Sequence, residues 1–161
     1  MRIYRISKLQ YMEQYSGRGA SYMHGGRWNR AGQPVLYFAQ SPAVAMLEMA
    51  HYLPSPRLVP ASFRIGEYEL PDGISQQFLT PPYPEDWDAN IYPKSTQNVG
   101  GDFLQEGKSL ILWVPSTALP MQSQNMDRIA VVNPLHSDIS KLKLLSSEGK
   151  IYNERAFRGM H

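Results

Sequence analysis

Apolar and polar positions fall into short runs along this chain, and the period of each run predicts an element. "RIYRIS" at the start places Ile3 and Arg5 on one side and Tyr4 and Ile6 on the other, a short strand with mixed faces. Residues 17–26, rich in Gly, Ser and Tyr, read as an ordered loop whose Gly25-Gly26 lets the backbone pass close to a neighbour. "PVLYFA" is β-branched and aromatic between two turn signals, so it predicts a strand with Val35, Tyr37 and Ala39 on one face. Ser41-Pro42 then supplies a helix start, with serine as N-cap and proline where a missing N–H costs nothing; the helix is expected from Pro42 to about Leu53.

Beyond it, "RLVPASFRIGEYEL" predicts one or two strands with Phe63, Ile65, Tyr68 and Leu70 facing inward. The Pro- and aromatic-rich residues 71–95 show no usable period and are read as irregular, with a short helix after them around Asp102 to Glu106. "SLILWVPS" reads as a central strand because it is apolar on both faces, and "RIAVVNP" as another. The remainder holds one more strand-like segment and then, from about residue 150, a polar end expected to fray.

These strands lie too close together for regular parallel crossovers, which predicts one α+β domain over residues 1–161: a small central mixed sheet flanked by helices. A chain of 161 residues suits one domain, and 13 prolines with 12 glycines fit many turns and exclude a long-helix bundle. The net charge of +2 comes from scattered residues, so the basic face of a nucleic-acid binder is missing. Cysteine is absent, which excludes disulfides and zinc-thiolate sites. The start carries no apolar secretion segment, and no run reaches the ~20 apolar residues of a membrane span; we therefore expect a cytoplasmic protein.

Chemistry enters with Glu48, the one formal charge between Ala31 and Pro56, inside the expected apolar helix. A carboxylate there carries a desolvation cost unless it is paired, which describes catalytic carboxylates and structural ion pairs alike. Residues alone leave both readings open. Upstream Arg27, after two glycines, is the natural partner; its planar fork suits phosphate oxygens, and stacking on Trp28 or Tyr22 is the structural alternative. Tyr37 precedes the Glu48 helix, so the two side chains can meet where the strand ends, although a core tyrosine with a satisfied hydroxyl has the same signature. Ser116 closes an expected central strand, but no G-x-S-x-G supports a serine hydrolase. His24, His51, His136 and His161 lack metal-ligand spacing, so no metal is expected, and with neither a dinucleotide fingerprint nor a Walker A loop present, any bound nucleotide does not use those cradles.

Taken in order, "YRIS", "GGRWNRAGQPVLYFAQSPAVAMLE", "SLILWVPS" and "VVNPLHSD" resemble the RES domain, the toxin half of bacterial RES-Xre toxin-antitoxin pairs, named for an Arg, a Glu and a Ser. By that resemblance Arg27, Glu48 and Ser116 take the name positions, Tyr37 takes a family tyrosine, and Arg5 matches a family arginine. The resemblance implies an ADP-ribosyltransferase-like fold, NAD+ as substrate and no true cofactor, with Arg5, Arg27, Trp28, Tyr37 and Ser116 on the NAD+. It also implies a neutralising Xre antitoxin with a DNA-binding domain, and it leaves a homodimer within the complex open. Water, phosphate or a protein as acceptor of the ADP-ribose stay undivided. A non-catalytic adaptor using the aromatic surface around Trp87 and Tyr92 is the reading of another class. Two segments depart from the family pattern: "TALPMQSQNMDRIA", which is longer than expected, and the ending "YNERAF".

Overall fold

The computed structural model describes residues 1–53, 55, 58–121 and 127–157. In chain order the elements are β1 (Arg2–Lys8), α1 (Ala20–His24), β2 (Leu36–Ala39), α2 (Pro42–His51), β3 (Phe63–Glu69), β4 (Gln76–Phe78), α3 (Lys94–Glu106), β5 (Ile111–Pro115), β6 (Arg128–Val132) and β7 (Lys143–Glu148), with short 3-10 turns between several of them. All seven strands join one sheet in the order β4-β5-β6-β2-β1-β3-β7. The β4–β5 pair is parallel and the others are antiparallel, so the sheet is mixed as expected but wider than the small sheet anticipated.

Alternation along the strands divides the core in two. Ile3, Leu36, Phe38, Ile111, Trp113, Ala130 and Val132 point to one side, covered by Met12, Ile74 and Leu142 from turns and loops. Val35, Ala39, Leu112, Val114, Ile129 and Val131 point to the other, covered by Val44 and Ala45 of α2 and Phe103 and Leu104 of α3. Both longer helices therefore lie on one face, and irregular chain covers the other. Because both faces are covered, β5 and β6 are buried throughout, which is why their sequences are apolar without a period of two. The β3 expectation divides between the two layers: Tyr68 belongs to the first cluster, while Ile65, an odd number of residues away, packs against the second.

α2 starts as its sequence predicts: the Ser41 hydroxyl accepts from Val44 N at 3.2 Å and Pro42 opens the helix. It ends at His51, short of the expected Leu53, and unlike the expectation it has a solvent face, with Ala43, Leu47 and His51 exposed. Ser41→Ala removes the cap and is expected to cost about 1 kcal/mol, a fall of about 2–4 °C in Tm for a chain of this size by calorimetry.

Two elements depart more sharply. α3 begins at Lys94 and runs 13 residues, far longer than the helix expected at Asp102, and β4 lies within the segment read as irregular. β7 is an edge strand with mostly exposed side chains. Of the unusually long segment 117–130, residues 122–126 lie outside the described residues, as does the end of the chain from 158. Among the described residues no helix is long and apolar enough to cross a membrane.

The feature that builds the site is a split in the sheet. β1 pairs with β3 along its whole length and β2 pairs with β6 at every residue, but β1 and β2 are joined only at Tyr4 and Ala39. Beyond that pair the strands diverge, and a cleft of about 1270 Å³ opens between them.

Candidate active site

Glu48 stands on the wall of this cleft. The i, i+4 spacing from buried Val44 turns it inward, away from exposed Ala43 and Leu47. Its Oε1 accepts a 2.5 Å hydrogen bond from the Ser116 hydroxyl, whose oxygen in turn accepts from Ala118 N at 3.2 Å. Ser116 is 1% exposed at the end of β5. In this structure the serine, expected on the ligand, stands behind Glu48 and bonds its carboxylate.

Arg27 shares the cleft but does not pair with Glu48, against the expectation of a natural partnership. Among the described residues, its Nη1 donates to the Trp87 carbonyl at 2.8 Å, and the guanidinium lies over the Tyr92 ring at 5.2 Å. The two opposite charges of the cleft are therefore anchored separately. The aromatic segment with Trp87 and Tyr92, considered above as an adaptor surface, is folded onto Arg27 as part of this wall.

Tyr37 lies in β2 on the α2 side of the sheet. Its hydroxyl donates to Asn29 Oδ1 at 2.7 Å and accepts from Trp28 N at 3.2 Å, so the ring is fixed at its tip. Burial pushes this phenol well above its ordinary value, with the Trp28 N–H acting the other way, and it stays protonated under all physiological conditions. Trp28 itself is 2% exposed in the second core cluster. It is among the residues that line the cleft, its indole packs in the core, and its backbone N–H holds the Tyr37 hydroxyl.

Asn29, which the sequence reading missed, is fully buried and holds this corner together, donating to the carbonyls of Ser21 and Arg30. A carboxamide directly after a tryptophan in a glycine-rich loop was the available signal. Gly26 is required beside it, because a Cβ there would lie 2.6 Å from Asn29 Oδ1 and 2.9 Å from the Tyr37 hydroxyl. The Gly25-Gly26 backbone does pass close to a neighbour, and that neighbour is the site's own scaffold. The loop is tied to α3 by bonds from Gln97 Nε2 to the Gly26 carbonyl, from Gln33 Nε2 to the Gly101 carbonyl and from Arg30 to Asp102.

Arg5 projects from β1 on the opposite side of the sheet from Tyr37, and the split brings both to one cleft. Its guanidinium lies over the Phe38 ring at 5.8 Å, and its Nη1 is buried without a hydrogen-bond partner among the described residues. Burial pulls this group below its ordinary value, Tyr68 and Tyr15 opposing the effect, but a guanidinium stays charged in any protein. A buried guanidinium nitrogen without a partner is costly, and one beside a cleft is suited to an anion.

The arrangement is a carboxylate bonded by Ser116 on one wall, one guanidinium anchored apart from it, a second with an unpartnered nitrogen, and a tyrosine fixed at its tip, around a space large enough for an extended ligand. Comparison with known proteins bears on the family and the fold. The RES domain matches residues 2–151. A protein named "Toxin Res" from Pseudomonas putida is 34% identical over 145 residues, covering 89% of this chain and 92% of its own. The "Prs ADP-ribosylating toxin" of a Sphingobium species is 31% identical over 160 residues, covering 98% of this chain and 95% of its own. In fold, the chain is similar to one in the M. tuberculosis MbcT-MbcA toxin-antitoxin complex, with a TM-score of 0.72, 19% identity and coverage of 98% of this chain and 86% of that one. A domain match that runs from β1 to beyond β7, with relatives above 30% identity along nearly the whole chain, shows that this protein belongs to the RES domain family.

Proposed function

We propose that the chain is the toxin of a toxin-antitoxin pair and that it consumes NAD+ by cleaving the nicotinamide-ribose bond. The observation that carries this reading is Glu48, fixed by Ser116 on a cleft wall and left unpaired with the cations of the same cleft. NAD+ carries a pyrophosphate and a cationic nicotinamide. When the C1′–N bond breaks, its electron pair goes to the nicotinamide nitrogen, which leaves neutral, and positive charge develops at C1′. A fixed carboxylate stabilises that charge, as in glycoside cleavage. The oxygen of a water then bonds to C1′ and its surplus proton passes to solvent, giving ADP-ribose and nicotinamide.

The other residues divide the ligand. The Arg27 fork suits the pyrophosphate, and Arg5, with its unpartnered nitrogen, supplies a second cation for the anionic part. Tyr37 offers its ring to the nicotinamide end, since its hydroxyl is engaged with the loop. Drug-sized ligands occupy pockets of roughly 300–1,000 Å³; at about 1270 Å³ this cleft exceeds that range and accommodates a dinucleotide.

Transfer of the ADP-ribose to a macromolecule is the second reading, favoured by the name of the Sphingobium relative. Mass spectrometry of the products from labelled NAD+, with and without cell lysate, separates the two: free ADP-ribose in buffer alone supports hydrolysis, and label on protein only with lysate supports transfer. Phosphate as acceptor shows as a phosphorylated product in phosphate buffer. An antitoxin partner is supported by the fold shared with a chain of a toxin-antitoxin complex; that the partner is of Xre type with its own DNA-binding domain, and that the pair acts in the cytoplasm, follows from the family resemblance. Growth arrest on expression of this chain, relieved by the protein encoded beside it, tests that reading.

Arg5→Met gives a test with two readouts. It removes a ligand cation, raising KM for NAD+ about tenfold or more. It also removes an unpaired buried charge, so Tm rises. A purely structural Arg5 predicts a fall in Tm and no change in KM.

A further inference from the structure

Opposite charges that share a cleft attract each other, and an ion pair between Arg27 and Glu48 would neutralise both groups the proposed chemistry needs. Ser116 restrains the Glu48 side of such a pair. On the other side, Arg27 is held by one backbone carbonyl, that of Trp87, and by the face of Tyr92. Tyr92 is braced in turn: its hydroxyl lies 3.2 Å from that of Tyr52. Tyr52 is the C-cap of α2, four residues beyond Glu48 and on the same side of the helix. The two phenols thus form a bar from the carboxylate-bearing helix to the segment that anchors the arginine.

We propose that Tyr92, braced by Tyr52, is a positioning residue that keeps Arg27 apart from Glu48 in the free protein and presents its N–H fork to the ligand. Nothing in the bar has to touch substrate for this role. An aromatic face holds a guanidinium without using its hydrogen-bond donors, so the side chain stays in place and the rest of its N–H fork stays open. The kinetic consequences rest on the NAD+ reading given above, whereas the placement of Arg27 does not.

The test uses the full chain and three substitutions. Tyr92→Leu removes the ring and is expected to raise KM for NAD+ about fivefold to twentyfold, with kcat changed by less than about twofold. Tyr92→Phe keeps the ring and restores most of that loss; a KM as high as that of Tyr92→Leu overturns the proposal, because the ring is then not what holds Arg27. Tyr52→Leu, at a position of the cleft wall that is 66% exposed and so tolerant of change, removes the brace while leaving the Tyr92 ring and raises KM about threefold. It keeps the kinetic arm available should Tyr92→Leu fold poorly. A crystal structure of Tyr92→Leu without ligand decides the placement whatever the cleft binds. The proposal expects a guanidinium nitrogen within about 4 Å of the Glu48 carboxylate; a guanidinium still on the Trp87 carbonyl, as in the parent, overturns it. Loss of NAD+ turnover in the parent itself would count against the proposed function and leave the crystallographic arm standing.

Discussion

Glu48→Gln is expected to lower kcat for NAD+ cleavage about a hundredfold to a thousandfold while the dissociation constant for NAD+ changes little. The amide keeps the shape of the carboxylate, and its oxygen still accepts the hydrogen bond from Ser116, so the local packing has no reason to move. What disappears is the negative charge facing C1′ as the nicotinamide leaves. An interaction that strengthens only as the bond breaks contributes to kcat and not to ground-state binding, and steady-state kinetics with calorimetric titration of NAD+ separate the two. A variant with unchanged kcat would remove Glu48 from the mechanism. A variant that lost affinity and turnover together would make Glu48 a binding group.

Gly100→Ala is expected to destabilise the fold by about 3 kcal/mol, or about 6–12 °C in Tm, although it replaces a poor helix former with the best one. A Cβ at this position would lie 1.9 Å from the Trp28 carbonyl oxygen and 2.7 Å from its carbon, both backbone atoms that cannot swing aside. α3 must then move off residues 25–33, loosening the bonds from Gln97 to Gly26 and from Gln33 to Gly101 that hold the loop under Tyr37. NAD+ turnover falls with stability. Asn98→Ala is the control in the same helix: it removes two long, exposed hydrogen bonds from Arg30 and is expected to cost less than about 1 kcal/mol. Thermal melts of the two variants compare a tertiary clash directly with intrinsic helix preference.

That glycine also explains which parts of the structure were legible in the sequence. The start of α2 was readable because Ser41-Pro42 acts locally, on the helix's own N–H groups. β5 and β6 were readable because burial on both faces leaves an unbroken apolar run. The first two turns of α3 were not, since "KSTQNVGG" carries serine, threonine, asparagine and two glycines, all weak helix formers, and its helix is imposed by close packing against the "GGRWN" loop. Local preference and tertiary structure disagree at the scaffold of the site, where such conflicts are expected.

For the site itself, one stretch carried Arg27, Tyr37 and Glu48, and all three line the cleft. Their partnerships were hidden because they are non-local. Glu48 takes Ser116, 68 residues away, and Arg27 takes Trp87, 60 residues away, whereas proximity in sequence had suggested that they take each other. The split between β1 and β2 was likewise invisible: both segments read as ordinary strands, and their failure to pair beyond Tyr4 and Ala39 is a property of the sheet and not of either sequence. That split gives Arg5 access to the cleft from the other side of the sheet.

The central claim is that this cleft breaks the nicotinamide-ribose bond, and its most direct measurement is nicotinamide release from NAD+ by the purified chain, followed by proton NMR beside Glu48→Gln. The account predicts that the parent liberates nicotinamide with multiple turnovers and that the variant does so at least about a hundredfold more slowly. NAD+ left intact by the parent at high protein concentration, in buffer and with lysate alike, would contradict it.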